Sequence, residues 1–289
     1  MAMQRQDFRC LLRLRVRWSE VDPQGIVFNA HYLSYADCAI AEYWRRLGLP
    51  YAASMQKLQG DVYLKKASTL YHASARLDDW LDVGMRCARL GTSSMAFECG
   101  IFNGERLLTT IELVYVFADP ASQTKRELPS VLRTLIEDYE AGREVVEVAT
   151  GDWSAMQADA MAVRMAVFVQ EQGIDPAIEI DAHDADALHA VVRNRLGLPI
   201  ATGRLLLPDA AGEARIGRMA VERTVRGQRW GRMVLDALLQ AARERGDASV
   251  LLHAQRSAEG FYRRAGFAPQ GEPFEEAGIS HIAMRLPLR

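Results

Sequence analysis

The chain is poor in the features that would take it out of the ordinary globular class. Its 289 residues include four cysteines, Cys10, Cys38, Cys87 and Cys99, all in the first half and none in Cys-x-x-Cys spacing. Set among apolar neighbours, they predict buried free thiols rather than a disulfide framework, and no metal site. No run approaches the eighteen or so apolar residues of a spanning helix, and residues 1–7 carry charge with nothing apolar behind them. Both absences predict a cytoplasmic protein with no membrane partner. Charge of one sign is lacking too: 35 basic residues stand against 37 acidic ones, a formal net charge of -2, so nothing calls for nucleic acid. Repeats and low-complexity tracts are absent. Small soluble ligands are what remains.

Apolar residues make up 49% of the chain and charged ones 25%, enough to build two cores of about 140 residues each. In residues 8–17, Leu12, Leu14 and Val16 alternate with Arg13, Arg15 and Arg17, the period-2 signature of a strand with one solvated face. A turn with Asp22-Pro23 and Gly25 leads to a helix over 29–47, where Tyr32, Tyr35, Ala39, Tyr43 and Leu47 recur at helical spacing. Gly48 and Pro50 close it. Strand-like runs follow at 60–66, 69–76, 81–91, 94–103 and 106–117, with Asn103-Gly104 as a hairpin turn, and then a helix over 129–140 ending at Gly142. A boundary near Arg143 divides the chain into residues 1–142 and 143–289. The second part reads as a strand over 144–150 and a helix through Gln172. Strands at 188–193, 200–207 and 214–221 come next, then a helix over 229–245, a strand at 249–253, a helix over 257–265 and closing strands at 267–270 and 279–286. Both parts predict an α+β class.

Asp22, just ahead of a helix start, stands where free backbone N–H groups and a partial positive charge suit a carbonyl turning into an oxyanion. The same Asp22-Pro23-Gln24-Gly25 spacing fits a plain turn with Asp capping and Gly at positive φ. The wider pattern is Arg17-Trp18-x-Glu20-x-Asp22-x-x-Gly25-x-Val27-x-Asn29-x-x-Tyr32, with Tyr71-x-x-x-Ala75-Arg76-Leu77-Asp78-Asp79 and Leu128-Pro129-x-x-Leu132. Over about residues 8–142 it resembles the hotdog-fold acyl-CoA thioesterases of the 4-hydroxybenzoyl-CoA thioesterase and YbgC-like type. That resemblance implies a long helix wrapped by an antiparallel sheet, Asp22 as catalytic nucleophile or base on water, and the Asn29 N–H polarising the thioester carbonyl. YbgC-like members often carry His where Asn29 stands. Hotdog domains pair through their sheets, so a homodimer or homotetramer is implied. Lys65, Lys66 and Arg89 fit exposed strand charges better than contacts to coenzyme A phosphates.

In the second part a strand runs through an Arg/Gly turn into a helix, which aims successive N–H groups at one point, as a pyrophosphate requires. Ile216-Gly217-Arg218-x-Ala220-Val221, Arg226-Gly227-x-x-x-Gly231, Phe261-Tyr262-x-x-x-Gly266-Phe267 and Arg164-x-x-Val167-Phe168-x-x-Glu171-Gln172 together resemble the GNAT acyltransferases, particularly their ElaA-like branch. The resemblance implies acetyl-CoA along Met219, Ala220 and Val221, with its pyrophosphate on Arg226, Gly227, Gln228, Arg229, Trp230 and Gly231. Arg229 occupies the middle glycine of the usual loop pattern. Tyr262 would protonate the departing thiolate, or else pack between Phe261 and Phe267. Glu171, Glu179 and His281 are candidate bases for an amine acceptor. The combined expectation is a bifunctional acyl-CoA enzyme with no tightly bound cofactor, taking coenzyme A thioesters as substrates. The alternative is one active half beside a half that only binds acyl-CoA as sensor or scaffold.

Overall fold

The computed structural model describes residues 3–288; residues 1, 2 and 289, at the ends of the two expected ranges, lie outside the described residues. The chain divides into two compact units, one ending at Val145 and the other starting at Val146.

The first unit contains β1 (Cys10–Arg15), α1 (His31–Arg46), α2 (Tyr51–Leu58), β2 (Asp61–Tyr71), β3 (Trp80–Leu90), β4 (Ser94–Asn103), β5 (Arg106–Ala118) and α3 (Ser130–Glu140). Its five strands form one antiparallel sheet in the order β1-β3-β4-β5-β2. Helix α1 packs on the sheet because Tyr32, Tyr35, Ala36, Ala39, Ile40 and Tyr43 fall on one face, and its two alanines permit close approach. The Tyr43 ring meets Phe97 of β4 edge-on at 5.2 Å, and its hydroxyl donates to Glu140 Oε1 at 2.7 Å. That carboxylate also accepts the Cys87 N–H at 2.7 Å, so one α3 side chain joins helix to sheet. Gly48, at φ +69°, closes α1 as its position suggests.

Three expectations change here. The runs at 60–66 and 69–76 are one strand, β2, bent by a bulge between Leu64 and Lys66 and ending at Tyr71. Pro50 stops α1 but also starts α2, since a proline at a helix start forfeits no internal hydrogen bond. Of the four free thiols only Cys10 and Cys99 are buried; Cys87 is half-buried, and Cys38 is exposed because it lies on the face of α1 turned from the sheet.

The second unit contains β6 (Val146–Gly151), α4 (Trp153–Arg164), β7 (Leu188–Asn194), β8 (Pro199–Leu205), β9 (Glu213–Val221), α5 (Trp230–Arg245), β10 (Ser249–Gln255), α6 (Glu259–Arg264), β11 (Ala268–Glu276) and β12 (Ile279–Pro287). They form a seven-stranded sheet, β11-β12-β10-β9-β8-β7-β6. Helix α4 continues as a π-helical stretch, Met165–Glu171, in which the Gln172 N–H reaches Val167 O, five residues back, at 3.1 Å. Strands β9 and β10 run parallel, pairing only from Glu213↔Ser249 to Ile216↔Leu252. Beyond that point β9 stays with β8 and β10 with β12, so the two part company towards Val221 and Gln255.

A neutral set of six charges fixes the segment between α4 and β7. Arg164, 1% exposed, meets Glu179 Oε1 at 2.7 Å and Asp184 Oδ1 at 2.9 Å. Arg204 meets Asp184 and Asp181 at 2.6 Å each, and Arg218 meets Glu179 at 3.2 Å and Asp181 at 3.1 Å. Buried charges are tolerable when each is paired; here every guanidinium meets two carboxylates, and only Arg204 Nε among the nitrogens of Arg204 lacks a hydrogen-bond partner. Arg164→Met is therefore expected to cost the second unit about 3–5 kcal/mol, read from its urea midpoint, because Glu179 and Asp184 each lose one of two arginine partners and the set is left with three carboxylates against two guanidinium groups. The hydrogen bond from Arg204 holds the Asp181 carboxyl down at about 2. Its contribution is complete above the ordinary aspartate value of about 3.9 and is lost as pH falls through about 2, so Asp181→Asn should flatten the stability curve across that window.

Candidate active sites

The first site is a cleft of about 380 Å³ whose lining includes Asp22, Phe28, Asn29, Tyr32, Tyr71 and His72. The loop from β1 to α1 is held from below by Glu20, 2% exposed, which accepts the Arg17 N–H and Nε at 2.7 Å each and the Tyr35 hydroxyl at 2.8 Å. Burial pushes the Glu20 carboxyl up, but these donors outweigh it and leave it below the ordinary carboxylate range. The Phe28 N–H donates to Glu20 O at 2.9 Å, closing the loop upon itself. Asp22 sits in the turn: its N–H donates to Ile26 O, its carbonyl accepts from Gly25 N–H, and its Oδ1 accepts the Gln24 N–H, all at 2.9 Å. Gly25 adopts φ +72°, which the turn needs. The turn reading and the site reading of Asp22 thus coexist, since one carboxylate oxygen caps the turn.

Asn29 precedes α1, whose N-cap Ala30 supplies no side-chain acceptor. The Asn29 N–H meets no acceptor among the described residues, and its carbonyl is taken by the Tyr71 hydroxyl at 3.0 Å. Tyr32 crosses the site, its oxygen accepting the buried Ala75 N–H at 2.9 Å while its ring meets Tyr71 edge-on at 5.5 Å. Arg13, Arg15 and Arg17 point outward as their alternation suggests, Arg15 pairing with Asp78 at 2.8 Å.

In the second unit Met219, Ala220 and Val221 end β9 where β10 departs. A bulge opposite Thr202–Arg204 accompanies Arg218 at φ +52°. Arg226 fixes the following loop: its Nε donates to Val221 O at 3.0 Å, and its two terminal nitrogens grip Glu171 at 2.7 and 2.6 Å. Gly227 takes φ +87° and Arg229 φ +71°, so the arginine at the usual glycine position adopts the left-handed turn a glycine would supply. Gly231 lies against the strand: an added Cβ would stand 3.1 Å from Val221 Cγ2. Trp230 is buried at the start of α5, whose N-cap Arg229 again provides no side-chain acceptor.

Tyr262 is 7% exposed, between Phe261 at 4.9 Å and Phe267 at 6.0 Å, and burial pushes its phenol above the ordinary value. The candidate bases fare worse. The hydrogen bond from Arg226 holds Glu171 below the ordinary range, Glu179 is enclosed by Arg164 and Arg218, and His281 Nδ1 lies 2.7 Å from Ile279 O. No group of three or more potential metal ligands occurs among the described residues.

A thioesterase-superfamily model matches residues 24–110, and an acetyltransferase (GNAT) domain model matches residues 200–288. The acyl-CoA thioester hydrolase YbgC of Escherichia coli O6:H1 is 31% identical over 117 residues, which are 40% of this chain and 87% of that protein. The uncharacterized N-acetyltransferase YjcF of Bacillus subtilis is 34% identical over 127 residues, 44% of this chain and 89% of that protein. The chain belongs to both families, thioesterase in its first half and GNAT in its second. A Thermus thermophilus thioesterase solved with coenzyme A and Zn is 26% identical, covering 48% of this chain and 99% of that one at a TM-score of 0.42.

Within the thioesterase half, sequence reasoning singled out Asp22 and Asn29, which line one cleft, but assigned no role to His72 or to the pair of exposed Arg17 and buried Glu20. His72 follows the end of β2 in the cleft lining, while its ring nitrogen Nε2 lies 3.0 Å from Thr110 Oγ1 on β5, a pairing no local spacing signals. Tyr32→Phe is expected to cost this half about 1–3 kcal/mol, because the Ala75 N–H would be buried without an acceptor. A urea midpoint equal to that of wild type would show that water replaces the phenol there.

Proposed function

We propose that the chain is a bifunctional acyl-CoA enzyme. Residues 1–142 hydrolyse an acyl-CoA thioester, and residues 143–289 transfer acetyl from acetyl-CoA to an amine. The observation that carries the first activity is one cleft lined by the Asp22 carboxylate and by Asn29, whose N–H no group among the described residues satisfies. Asp22 attacks the thioester carbonyl or draws a proton from the water that does. By either route the oxygen becomes an oxyanion received by the Asn29 N–H at the positive end of α1. Hydrolysis needs no cofactor beyond the substrate itself.

For the second activity, the parting of β9 and β10 offers a slot for the thioester arm beside Met219, Ala220 and Val221. The turn formed by Arg226, Gly227, Gln228, Arg229, Trp230 and Gly231 opens α5 with N–H groups suited to a pyrophosphate. Tyr262 keeps its proton at neutral pH, because burial raises its pKa, and donates it towards the departing sulfur. Strand β2, at the edge of its sheet with most side chains exposed, supports a homodimer or homotetramer through the hotdog half, and the assembly is read as cytoplasmic.

A second reading has its own support: Glu171, Glu179 and His281 all have other partners, which favours a GNAT half that binds acetyl-CoA without transferring it. Coenzyme A release separates the two. Acceptor-free release from short, long and aromatic acyl-CoAs is expected to fall about 10²–10⁴-fold in Asp22→Asn. Release that depends on an added amine should fall about 10²-fold in Tyr262→Phe. Amine-independent rates throughout would leave the hydrolase alone and favour the second reading.

A further inference from the structure

An acetyl acceptor must reach the thioester from a side that acetyl-CoA leaves open. With its pyrophosphate on the opening of α5, acetyl-CoA lies on the face of the sheet that α5 covers. Met219 and Val221 turn to that face: a Cβ added at Gly203 would meet Met219 Sδ, Val234 and Leu238, and one at Gly231 would stand 3.1 Å from Val221 Cγ2. The opposite face belongs to α4, which packs on β6, β7, β8 and β9, with Val163, Val167 and Phe168 against Ala220. Gln255 of β10 turns to this second face, since its Nε2 donates to Gln172 Oε1, just past the π-helical stretch, at 3.1 Å. At period two His253 shares the face, one residue beyond the last β9–β10 pair, Ile216↔Leu252. Register adds His281, opposite Gln255, and Phe274, opposite His281.

His253 stands there between two opposite charges. Its Nδ1 lies 2.9 Å from Glu276 Oε2, and the Arg215 guanidinium lies against the same ring, nearer Nε2 than Nδ1. A carboxylate only accepts and a guanidinium only donates, which fits a neutral imidazole with its proton on Nδ1. Arg215 has no carboxylate partner among the described residues, and Glu276 Oε1 has no partner there at all. Both side chains are exposed. Burial pushes the Glu276 carboxyl up, but the hydrogen bond from His253 outweighs it and leaves it below the ordinary range. Phe274 meets His253 edge-on at 4.7 Å and stacks with His281 at 6.1 Å. A carboxylate, a guanidinium one imidazole away and an aromatic wall thus share one open face beside the point where β9 and β10 part.

We infer that this face is the acceptor site and that it takes a free α-amino acid with an apolar or aromatic side chain, an inference that rests on the transferase reading above. The ammonium binds Glu276 Oε1, the carboxylate binds Arg215, and the side chain lies against Phe274 and His281. Two opposite charges one imidazole apart suit a ligand whose own opposite charges are one carbon apart. A diamine would bring its second positive charge to Arg215, and an amino-acid amide would leave the guanidinium without an anion. The bound ammonium loses one proton to solvent before attack. Its nitrogen then bonds to the acetyl carbon and sheds a second proton to solvent as the C–S bond breaks. The electron pair of that bond stays on sulfur, which takes the Tyr262 proton, and Tyr262 recovers one from solvent. One acetyl-CoA and one amino acid give one N-acetyl amino acid and one thiol, with one proton released.

The test measures release of coenzyme A from acetyl-CoA above the acceptor-free rate. The acceptors are L-phenylalanine, L-leucine and L-methionine, each beside its α-amide, with n-pentylamine and 1,5-diaminopentane as amines that lack a carboxylate. Wild type is expected to show a kcat/KM at least about tenfold higher on the best amino acid than on its amide. Arg215→Gln should lower kcat/KM on that amino acid roughly 10–10²-fold, mainly through KM, while staying within about threefold of wild type on the amide. Glu276→Gln should lower both, since both acceptors carry the ammonium. The rise in Tm caused by acetyl-CoA should be unchanged in either variant, because both residues are exposed and lie off the α5 face. Equal losses on amino acid and amide in Arg215→Gln would overturn the inference, as would wild-type values on both. Wild-type protein that turns over only the acceptors lacking a carboxylate would overturn it too. No acceptor-dependent release from any of them would overturn the transferase reading and this inference with it, an outcome distinct from a failure confined to Arg215.

Discussion

An uncapped helix start is the constraint on which both sites depend. A capping side chain stabilises a helix by about 0.5–2 kcal/mol because it satisfies the first free N–H groups, and for the same reason it would occupy the donors a substrate needs. Helix α1 has Ala30 and α5 has Arg229 at the N-cap, and neither supplies a side-chain cap. The preceding loops are held instead by arginine–glutamate pairs set aside from the helix axis: Arg17 with Glu20 in the thioesterase half, Arg226 with Glu171 in the GNAT half. Each pair positions its loop while leaving the helix end available. Charge-assisted, bidentate contacts suit the task, because they fix geometry as well as adding attraction.

That constraint also explains which residues were legible in the sequence. Asp22 and Asn29 lie seven residues apart on one loop and helix start; spacing alone left a plain turn open, and the wider motif that resembles the hotdog thioesterases joined them. The strand patterns were readable wherever one face is buried: β4 runs over Ser94–Asn103 as its alternation predicts. Reading failed where pattern and geometry separate. Lys65-Lys66-Ala67-Ser68 carries no alternation, so the bulged β2 looked like two strands. Pro50 looked like a stop and was also a start. Glu171 and Glu179 looked like bases because the arginines that occupy them, Arg226 and Arg164, stand 55 and 15 residues away in sequence. Their availability was a question of tertiary partners, which composition and spacing do not encode.

The six-charge set around Arg164 answers a different need. The segment between the π-helical stretch and β7 has little apolar surface to bury, and Ile178 and Ile180 are themselves exposed. Ion pairing holds it where packing does not. Balanced charge makes this workable: three guanidinium groups face three carboxylates, so none is left unpaired at a depth where the penalty would be several kcal/mol. Arg218 joins this set to β9 from a left-handed residue beside the bulge, so the segment and the strand that would receive the thioester share one anchor.

The two proposed reactions make opposite demands on water, and the exposure of the candidate residues differs in the same sense. Hydrolysis uses water as the nucleophile, and the thioesterase cleft is open, with Phe28 and Tyr71 each about half exposed on its walls. Acyl transfer to an amine must keep water from the same carbonyl, and Tyr262 lies buried among aromatic rings. A thioester is labile to both nucleophiles, so what separates hydrolase from transferase is which one is admitted. On the proposed reading, the open cleft at Asp22 and Asn29 would admit water, whereas the buried Tyr262 phenol would give the leaving thiolate a donor that solvent does not share.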